Sequence, residues 1–238
     1  MSQFAHRVVG DVHIAALDRL DGVSQGNFSS FNVANYVGDD PEQVASNVES
    51  AASFVSAKGV AIMSASHSNV VHVVSDPGVA LPGDGLVTDV PGLALLALSA
   101  DCLTGAVIDQ ASNRIGVFHA GWKGILSNVA AATIRTMLDA GSGAEHLHVV
   151  FGSRICGDCY EVPTERVDQF RDVCPQAIRD RTHLDLAAGA RAQVEVLGVS
   201  HESIGACTFE NDNFFSYRRA NGQPTGRGGL IVARAGER

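Results

Sequence analysis

The sequence has few aromatic residues, few charges and no long hydrophobic run. Its 238 residues include one Trp and three Tyr, and 18% of them are charged against 45% hydrophobic. The longest apolar stretch, residues 93–98, is far shorter than the roughly 20 residues that cross a bilayer. Residues 1–7 hold no apolar segment of the kind that a secretory signal needs. We therefore expect an ordinary globular protein with no membrane association.

Positive charge is also scarce. Seventeen Lys and Arg stand against 26 Asp and Glu, which gives a formal net charge of −9. This balance argues against general binding to nucleic acid or to a membrane surface. The five cysteines are an odd number in a chain long enough to bury a core without disulfides, so we expect reduced thiols and a cytoplasmic protein. We expect small-molecule partners and a monomer or weak homo-oligomer.

Several familiar cofactor motifs are missing. There is no H-E-x-x-H, no second C-x-x-C, and no strand–G-x-G-x-x-G–helix arrangement around the glycines that follow residue 225. The first two absences mean that residue spacing alone gives only a weak signal for a metal site. The third means that a dinucleotide-binding fold is not supported.

Hydrophobic periodicity predicts interspersed helices and strands. Residues 21–40 have loop composition, and residues 214–226 are typical of a hairpin or loop. Helices are predicted from Pro41 to a stop at Gly59, and over 127–140, 163–173 and 186–197. The main strands are predicted at 60–63, 70–74, 93–98, 105–109, 114–118, 148–151 and 230–233. The fold class is therefore α+β, with layered mixed β-sheets flanked by helices in a single domain over residues 1–238.

The strongest candidate site combines His67, Cys102 and His119, each at the end of an apolar strand or just after one. One thiolate and two imidazoles suit zinc or copper, and three protein ligands leave a fourth position for water or substrate. Spacing alone favours the simpler interpretation of a buried cysteine and two unrelated histidines. Another possibility is a nucleophilic dyad of Cys102 and His119, with Asp101 orienting the imidazole.

Cys156 and Cys159 form a C-x-x-C. A redox pair belongs at a helix N-terminus, and a zinc site needs a second pair, which Cys174 and Cys207 do not form. We therefore interpret Cys156 and Cys159 as ordinary reduced loop cysteines.

Arg218, Arg219 and Arg227 form the densest basic patch of an acidic chain. Guanidinium groups suit phosphate or carboxylate, but a solvated hairpin explains the patch equally well. Trp122 could belong to the core or form a wall on which a planar ring stacks.

Three blocks of sequence resemble the signature of the YfiH/laccase-domain family, also called polyphenol oxidase or purine nucleoside phosphorylase. They are D-G-L-V-T at 84–88, L-S-A-D-C-L at 98–103 and H-A-G-W-K-G at 119–124. Further matches follow in order, including C-Y-E-V at 159–162 and F-F-S-Y-R-R at 214–219. The resemblance implies a layered α+β fold and a zinc site built from His67, Cys102 and His119.

The resemblance also implies phosphorolysis of adenosine, inosine and methylthioadenosine, with adenosine deamination beside it. An older assignment is copper-dependent oxidation of phenols. A multicopper oxidase needs several His-x-His pairs, whereas this chain has one pair among nine His. Copper nevertheless binds such donors more tightly than zinc, so weak oxidase activity is expected in copper-loaded preparations.

We therefore expect a zinc-dependent purine nucleoside phosphorylase with a deaminase side activity. The alternatives are a copper-dependent polyphenol oxidase, a cysteine hydrolase using Cys102 and His119, and a binding protein without catalysis. We expect Cys102 and His119 in the reaction centre, Asp101 or Glu161 as a proton shuttle, and Asn32 and Arg218 in contact with nucleoside or phosphate. The chain departs from the family pattern at four positions, which are Val48, Ala65, Thr104 and Ser153.

Overall fold

Two six-stranded β-sheets and six short-to-medium α-helices make up the computed structural model, which describes residues 5–236. The strands are β1 (Ala5–Val9), β2 (Val12–Leu17), β3 (Gly59–Ser64), β4 (Val71–Val73), β5 (Gly78–Pro82), β6 (Gly85–Thr88), β7 (Leu93–Ser99), β8 (Leu103–Asp109), β9 (Ile115–Ala120), β10 (Leu147–Phe151), β11 (Ser200–Ser203) and β12 (Gly228–Arg234). The helices are α1 (Pro41–Phe54), α2 (Trp122–Leu126), α3 (Val129–Asp139), α4 (Thr164–Asp168), α5 (Leu186–Glu195) and α6 (Tyr217–Ala220).

Both sheets are mixed, which confirms the predicted α+β class. The first has the order β1-β2-β12-β7-β3-β5, and β3 runs parallel to both of its neighbours while the other pairs are antiparallel. The second has the order β11-β10-β8-β9-β6-β4, with parallel pairs only at its two ends.

The two sheets pack face to face and helices cover their outer faces. Three apolar clusters define these layers. One lies between the sheets, one between the second sheet and the helices α3 and α5, and one between the first sheet and α1. The strand β7 is buried on both faces, which explains its uninterrupted run of Leu and Ala.

Helix ends follow from local chemistry. The Oδ1 of Asp40 accepts a hydrogen bond from the amide of Glu42 at 2.8 Å, and Pro41 occupies the first turn of α1. The helix ends at Phe54, so the predicted stop at Gly59 is wrong because that glycine begins β3.

Three further predictions need correction. The helix predicted over 127–140 begins at Val129, because Asn128 has a left-handed backbone that separates α3 from the short α2. The helix predicted over 163–173 is only the short α4. The hairpin or loop predicted for 214–226 contains the helix α6, which is capped by the Ser216 hydroxyl accepting from the amide of Arg219. Among the described residues, no helix is long and apolar enough to cross a membrane.

Candidate active site

The candidate site lies where the chain passes from one sheet to the other. Cys102 is on the short connection between β7 of the first sheet and β8 of the second. His67 is on the connection between β3 and β4, which also belong to different sheets, and His119 is near the end of β9. Rigid strand ends therefore fix the backbone on both sides of each residue. A cavity of about 680 Å³ opens beside them.

The structure brings the three predicted ligands together. One ligand atom from each of His67, Cys102 and His119 lies within 4.8 Å of the others. The two imidazole rings meet edge to face, with their centroids 5.2 Å apart. His119 is buried and His67 is exposed, so the cluster has a closed side and a side that faces the cavity.

Asp84 holds this cluster in place, and no role was predicted for it. Its Oδ1 lies 2.9 Å from Nδ1 of His119, while Oδ2 accepts hydrogen bonds from the amides and hydroxyls of Ser66 and Ser68 at 2.6–3.1 Å. Burial opposes ionisation, but His119 and these amides keep the pKa of Asp84 well below its usual range. The ionised carboxylate can only accept, so Nδ1 of His119 carries the proton and Nε2 is left for a ligand.

The thiol and the buried imidazole influence each other strongly. Burial alone would raise the pKa of Cys102, but His119 and His67 lower it to about 6. Burial alone would lower the pKa of His119, but Cys102 and Asp84 raise it to about 9. The metal-free pair is therefore a thiolate and an imidazolium at neutral pH. A thiolate is the form of cysteine that binds a metal and that acts as a nucleophile.

These donors fit a zinc or copper ion. Sulfur and two imidazole nitrogens at this separation match the ligand types of such sites, and a fourth position would face the cavity. Gly121 makes room for them, since a Cβ there would lie 3.0 Å from Sγ of Cys102 and 3.1 Å from the ring of His67. His67 itself has a left-handed backbone with φ of 57°, a strained geometry that is often found at functional sites.

Asp101 does not orient His119, so that part of the predicted dyad is wrong. Its carboxylate accepts hydrogen bonds from the hydroxyls of Thr208 and Ser216 and from the amide of Arg218, at 2.6, 3.0 and 2.7 Å. Asp101 lines the cavity, but these contacts bind it to the segment that carries α6. It positions Arg218, while Asp84 orients the imidazole.

Asn32 lies outside the cavity, which contradicts its predicted contact with substrate. It is fully buried, and its amide group donates to Ala34 and Asp39 and accepts from the amides of Ala34 and Arg227, at 2.8–3.1 Å. With every polar position occupied, Asn32 fixes the loop 31–39 against Arg227. Asn35, three residues later, is the asparagine that lines the cavity.

The cavity wall is cationic in an acidic protein. Arg166, Arg218 and Arg227 line it, and Asp101 is the single carboxylate among its described lining residues. Arg218 donates to the carbonyl of Glu161 at 2.8 Å. Arg219 faces away, because its guanidinium donates to backbone carbonyls of the adjoining loop. It therefore takes no part in binding phosphate or carboxylate, the role considered above for the basic patch.

All three tyrosines of the chain, Tyr36, Tyr160 and Tyr217, line the same cavity. Two of them lie beside its cations, with Arg218 5.4 Å from the ring centroid of Tyr160 and Arg227 5.8 Å from that of Tyr217. Trp122 is not among the lining residues but packs under Arg166, whose guanidinium carbon is 4.5 Å from its ring centroid.

Comparison with known proteins agrees with the geometry. A sequence model of the multi-copper polyphenol oxidoreductase laccase family matches residues 13–235. The chain belongs to this family. The match confirms the resemblance drawn from the three sequence blocks.

Relatives of this laccase-family chain include named enzymes. A purine nucleoside phosphorylase of Corynebacterium glutamicum is 36% identical over 225 residues, which cover 90% of this chain and 91% of the relative. An adenosine deaminase named RL5, from an unknown prokaryotic organism, is 29% identical and covers 84% of the chain and 85% of the relative. A crystal structure of a Neisseria meningitidis protein superposes with a TM-score of 0.85 at 31% identity, over 99% of this chain and all of the other.

Proposed function

We propose that this laccase-family chain is a zinc-dependent purine nucleoside phosphorylase with an adenosine deaminase side activity. The observation that carries the proposal is the His67–Cys102–His119 cluster beside a cavity with three arginines and three tyrosines. The volume of about 680 Å³ lies within the range of about 300–1,000 Å³ that is typical of small-molecule sites. The names of the relatives point to the same pair of reactions.

Phosphorolysis requires an anion next to C1′ of the ribose. An oxygen of phosphate bonds to C1′ as the glycosidic bond breaks, and the purine leaves with the bonding electrons and takes up a proton. Arg218 and Arg227 supply positive charge for the phosphate, since guanidinium groups bind it in a forked geometry. The tyrosine rings offer flat apolar surface for a purine.

Zinc, where bound, supplies Lewis acidity at the cavity-facing side of the cluster. The chain's own part is to keep the ligands in one arrangement. Asp84 keeps the proton of His119 on Nδ1, and Gly121 leaves space for the thiolate and the His67 ring. Deamination would use the same cluster, with water replacing the amine at C6 of adenosine and ammonia leaving.

A second candidate function rests on a different property of the same residues. Cys102, His119 and Asp84 have the nucleophile–base–carboxylate connectivity of a cysteine hydrolase, and the pKa of Cys102 is lowered to about 6. This activity would need no metal and would be blocked by zinc. The polyphenol oxidase alternative has less support, because a single His–Cys–His cluster does not supply several copper ions.

The deciding experiment uses one zinc-loaded, copper-free preparation. Adenosine is incubated with and without phosphate, and adenine, inosine and hypoxanthine are separated by chromatography while the metal content is measured. We expect adenine that depends on phosphate and a smaller amount of inosine that does not. Absence of both products at one zinc per His–Cys–His cluster would refute the proposal. Amide hydrolysis that appears only after chelation would support the cysteine hydrolase.

A further inference from the structure

A second cluster of soft ligands lies outside the cavity. Cys156, Cys159, Cys207 and Glu210 each place one ligand atom within 4.8 Å of the other three. The chain contains no second C-x-x-C, and Cys207 is about 50 residues from the Cys156–Cys159 pair. The fold supplies this third cysteine, whereas Cys174 is buried elsewhere, in the core under α5.

We propose that these four side chains bind a thiophilic divalent cation, Zn²⁺, in a closed structural site. Zinc–sulfur bonds of about 2.3 Å in a tetrahedron place neighbouring sulfurs about 3.8 Å apart, so four ligands already within 4.8 Å need only small shifts. The thiol of Cys156 is 3.9 Å from Oε2 of Glu210. Four protein ligands leave no open position, which distinguishes this cluster from the His–Cys–His one.

The backbone holds two of the ligand-bearing segments in place. The chain turns tightly after Cys156, whose carbonyl accepts from the amides of Cys159 and Tyr160 at 3.1 and 3.0 Å. The segment that carries Cys207 pairs with the first segment through a parallel β-bridge between Cys207 and Arg154. The amide of Cys156 also donates to Sγ of Cys207 at 3.3 Å. An amide aimed at a sulfur stabilises the thiolate that a metal requires.

A dithiol redox pair explains the cluster less well. Such pairs have a thiol of lowered pKa, usually at a helix N-terminus. Here Cys156 and Cys159 lie on the connection between β10 and α4, and neither stands at the N-terminus of a helix. A bound cation would displace the thiol protons, and its positive charge would offset the repulsion between the resulting thiolates.

The position of the cluster gives it a structural role beside the cavity. Cys159 precedes Tyr160, which lines the cavity, and Cys207 precedes Thr208, whose hydroxyl donates to Asp101 at 2.6 Å. A metal at this point would tie together the two segments that carry these residues.

Zinc stoichiometry tests the proposal without reference to catalysis. Protein from zinc-supplemented cells, purified without chelators, should hold two zinc ions per chain. Cys159→Ser and His119→Ala should each hold one, and the double variant none. Cys174→Ser, which removes a thiol outside both clusters, should still hold two. The proposal would be overturned if the unaltered protein held one zinc per chain and Cys159→Ser held the same amount, or if Cys159→Ser still held two.

Cobalt binding tests the ligand set. In the His119→Ala protein, stripped of metal, added Co²⁺ should give a strong thiolate-to-cobalt charge-transfer band at one equivalent. Cys156→Ser should reduce that band by about a third, and Glu210→Gln should weaken Co²⁺ binding while the thiolate band remains. Unchanged Co²⁺ affinity in Glu210→Gln would show that Glu210 is not a ligand. Finding three rather than five free thiols in the denatured, unreduced protein would indicate a disulfide and refute the metal site.

Discussion

Asp84 links the two sides of the ligand cluster, because one carboxylate oxygen binds His119 and the other holds the turn that carries His67. Asp84→Asn keeps the size of the side chain but replaces an oxygen acceptor with an amide donor. We expect zinc affinity at the cluster to fall about 10–100-fold, as is typical when a ligand's supporting carboxylate is lost. Nucleoside turnover should fall with it.

Competition with a chromophoric chelator measures this affinity. Asp109→Asn is the matched control, because Asp109 is equally buried and bonded to an amide and a hydroxyl at the β8–β9 turn, but it touches no ligand. Equal losses of zinc affinity in Asp84→Asn and Asp109→Asn would show that the effect comes from general destabilisation of the fold. Unchanged zinc affinity in Asp84→Asn would contradict the orienting role.

The reactivity of Cys102 in metal-free protein should reveal its lowered pKa. Only the thiolate attacks iodoacetamide and displaces its iodide, so the alkylation rate should rise with pH through about 6 and level off above it. An unperturbed cysteine has a pKa of about 8.5 and would react much more slowly at pH 6.5. Mass spectrometry of labelled peptides follows each cysteine separately.

His119→Ala supplies the contrast for this measurement. Without the imidazolium, burial would dominate and raise the pKa of Cys102, so the alkylation midpoint should move upward by more than two pH units. Saturating zinc should protect Cys102 in the unaltered protein. A midpoint near 8.5 in both proteins would show that the two side chains do not interact.

At the scale of elements, the short helix α6 carries two neighbouring arginines that have different roles. Arg218 lines the cavity, whereas Arg219 donates to the carbonyls of Thr208, Phe209 and Phe214. Arg218→Ala should raise the KM for phosphate about tenfold or more and spare deamination. Arg219→Ala should leave that KM unchanged and destabilise the fold by about 2–3 kcal/mol.

Steady-state kinetics and thermal melting separate these two effects. For a chain of this size, the stability loss in Arg219→Ala corresponds to a drop in Tm of about 4–12 °C. A phosphate KM raised equally in both variants would mean that α6 acts through its position and that Arg218 makes no separate contact with phosphate.

Several strongly patterned elements were predictable from sequence, whereas the edge strands β1, β5 and β11 and the inner strand β2 were not predicted. The strand β7 is a continuous apolar run, and α1 has an apolar face with a capped start. The start of each element was therefore predicted, although the end of α1 was placed too late. The edge strands β1 and β5 are largely exposed and lack that pattern, and α6 is too short for periodicity to show. Sequence blocks identified the three ligands, but the role of Asp84 depends on a pairing between distant segments.

At the scale of the whole molecule, the ligand cluster joins the two sheets. His67 and Cys102 lie on connections that cross between the sheets, and His119 belongs to the second sheet. A zinc ion held by all three would bind only when both sheets are folded and packed together. Zinc should therefore stabilise the complete fold, and thermal unfolding should remain a single transition.

The size of this effect follows from mass action. Free zinc at 100 times the Kd stabilises the native state by about 2.7 kcal/mol per site, which for a chain of this size raises Tm by about 5–10 °C. Scanning calorimetry of stripped and zinc-loaded protein measures it. The shift should persist in part in Cys159→Ser, because the His–Cys–His cluster is intact there, and vanish in the Cys159→Ser, His119→Ala double variant. Two separate transitions, only one of them sensitive to zinc, would show that the sheets unfold independently and that the cluster does not join them.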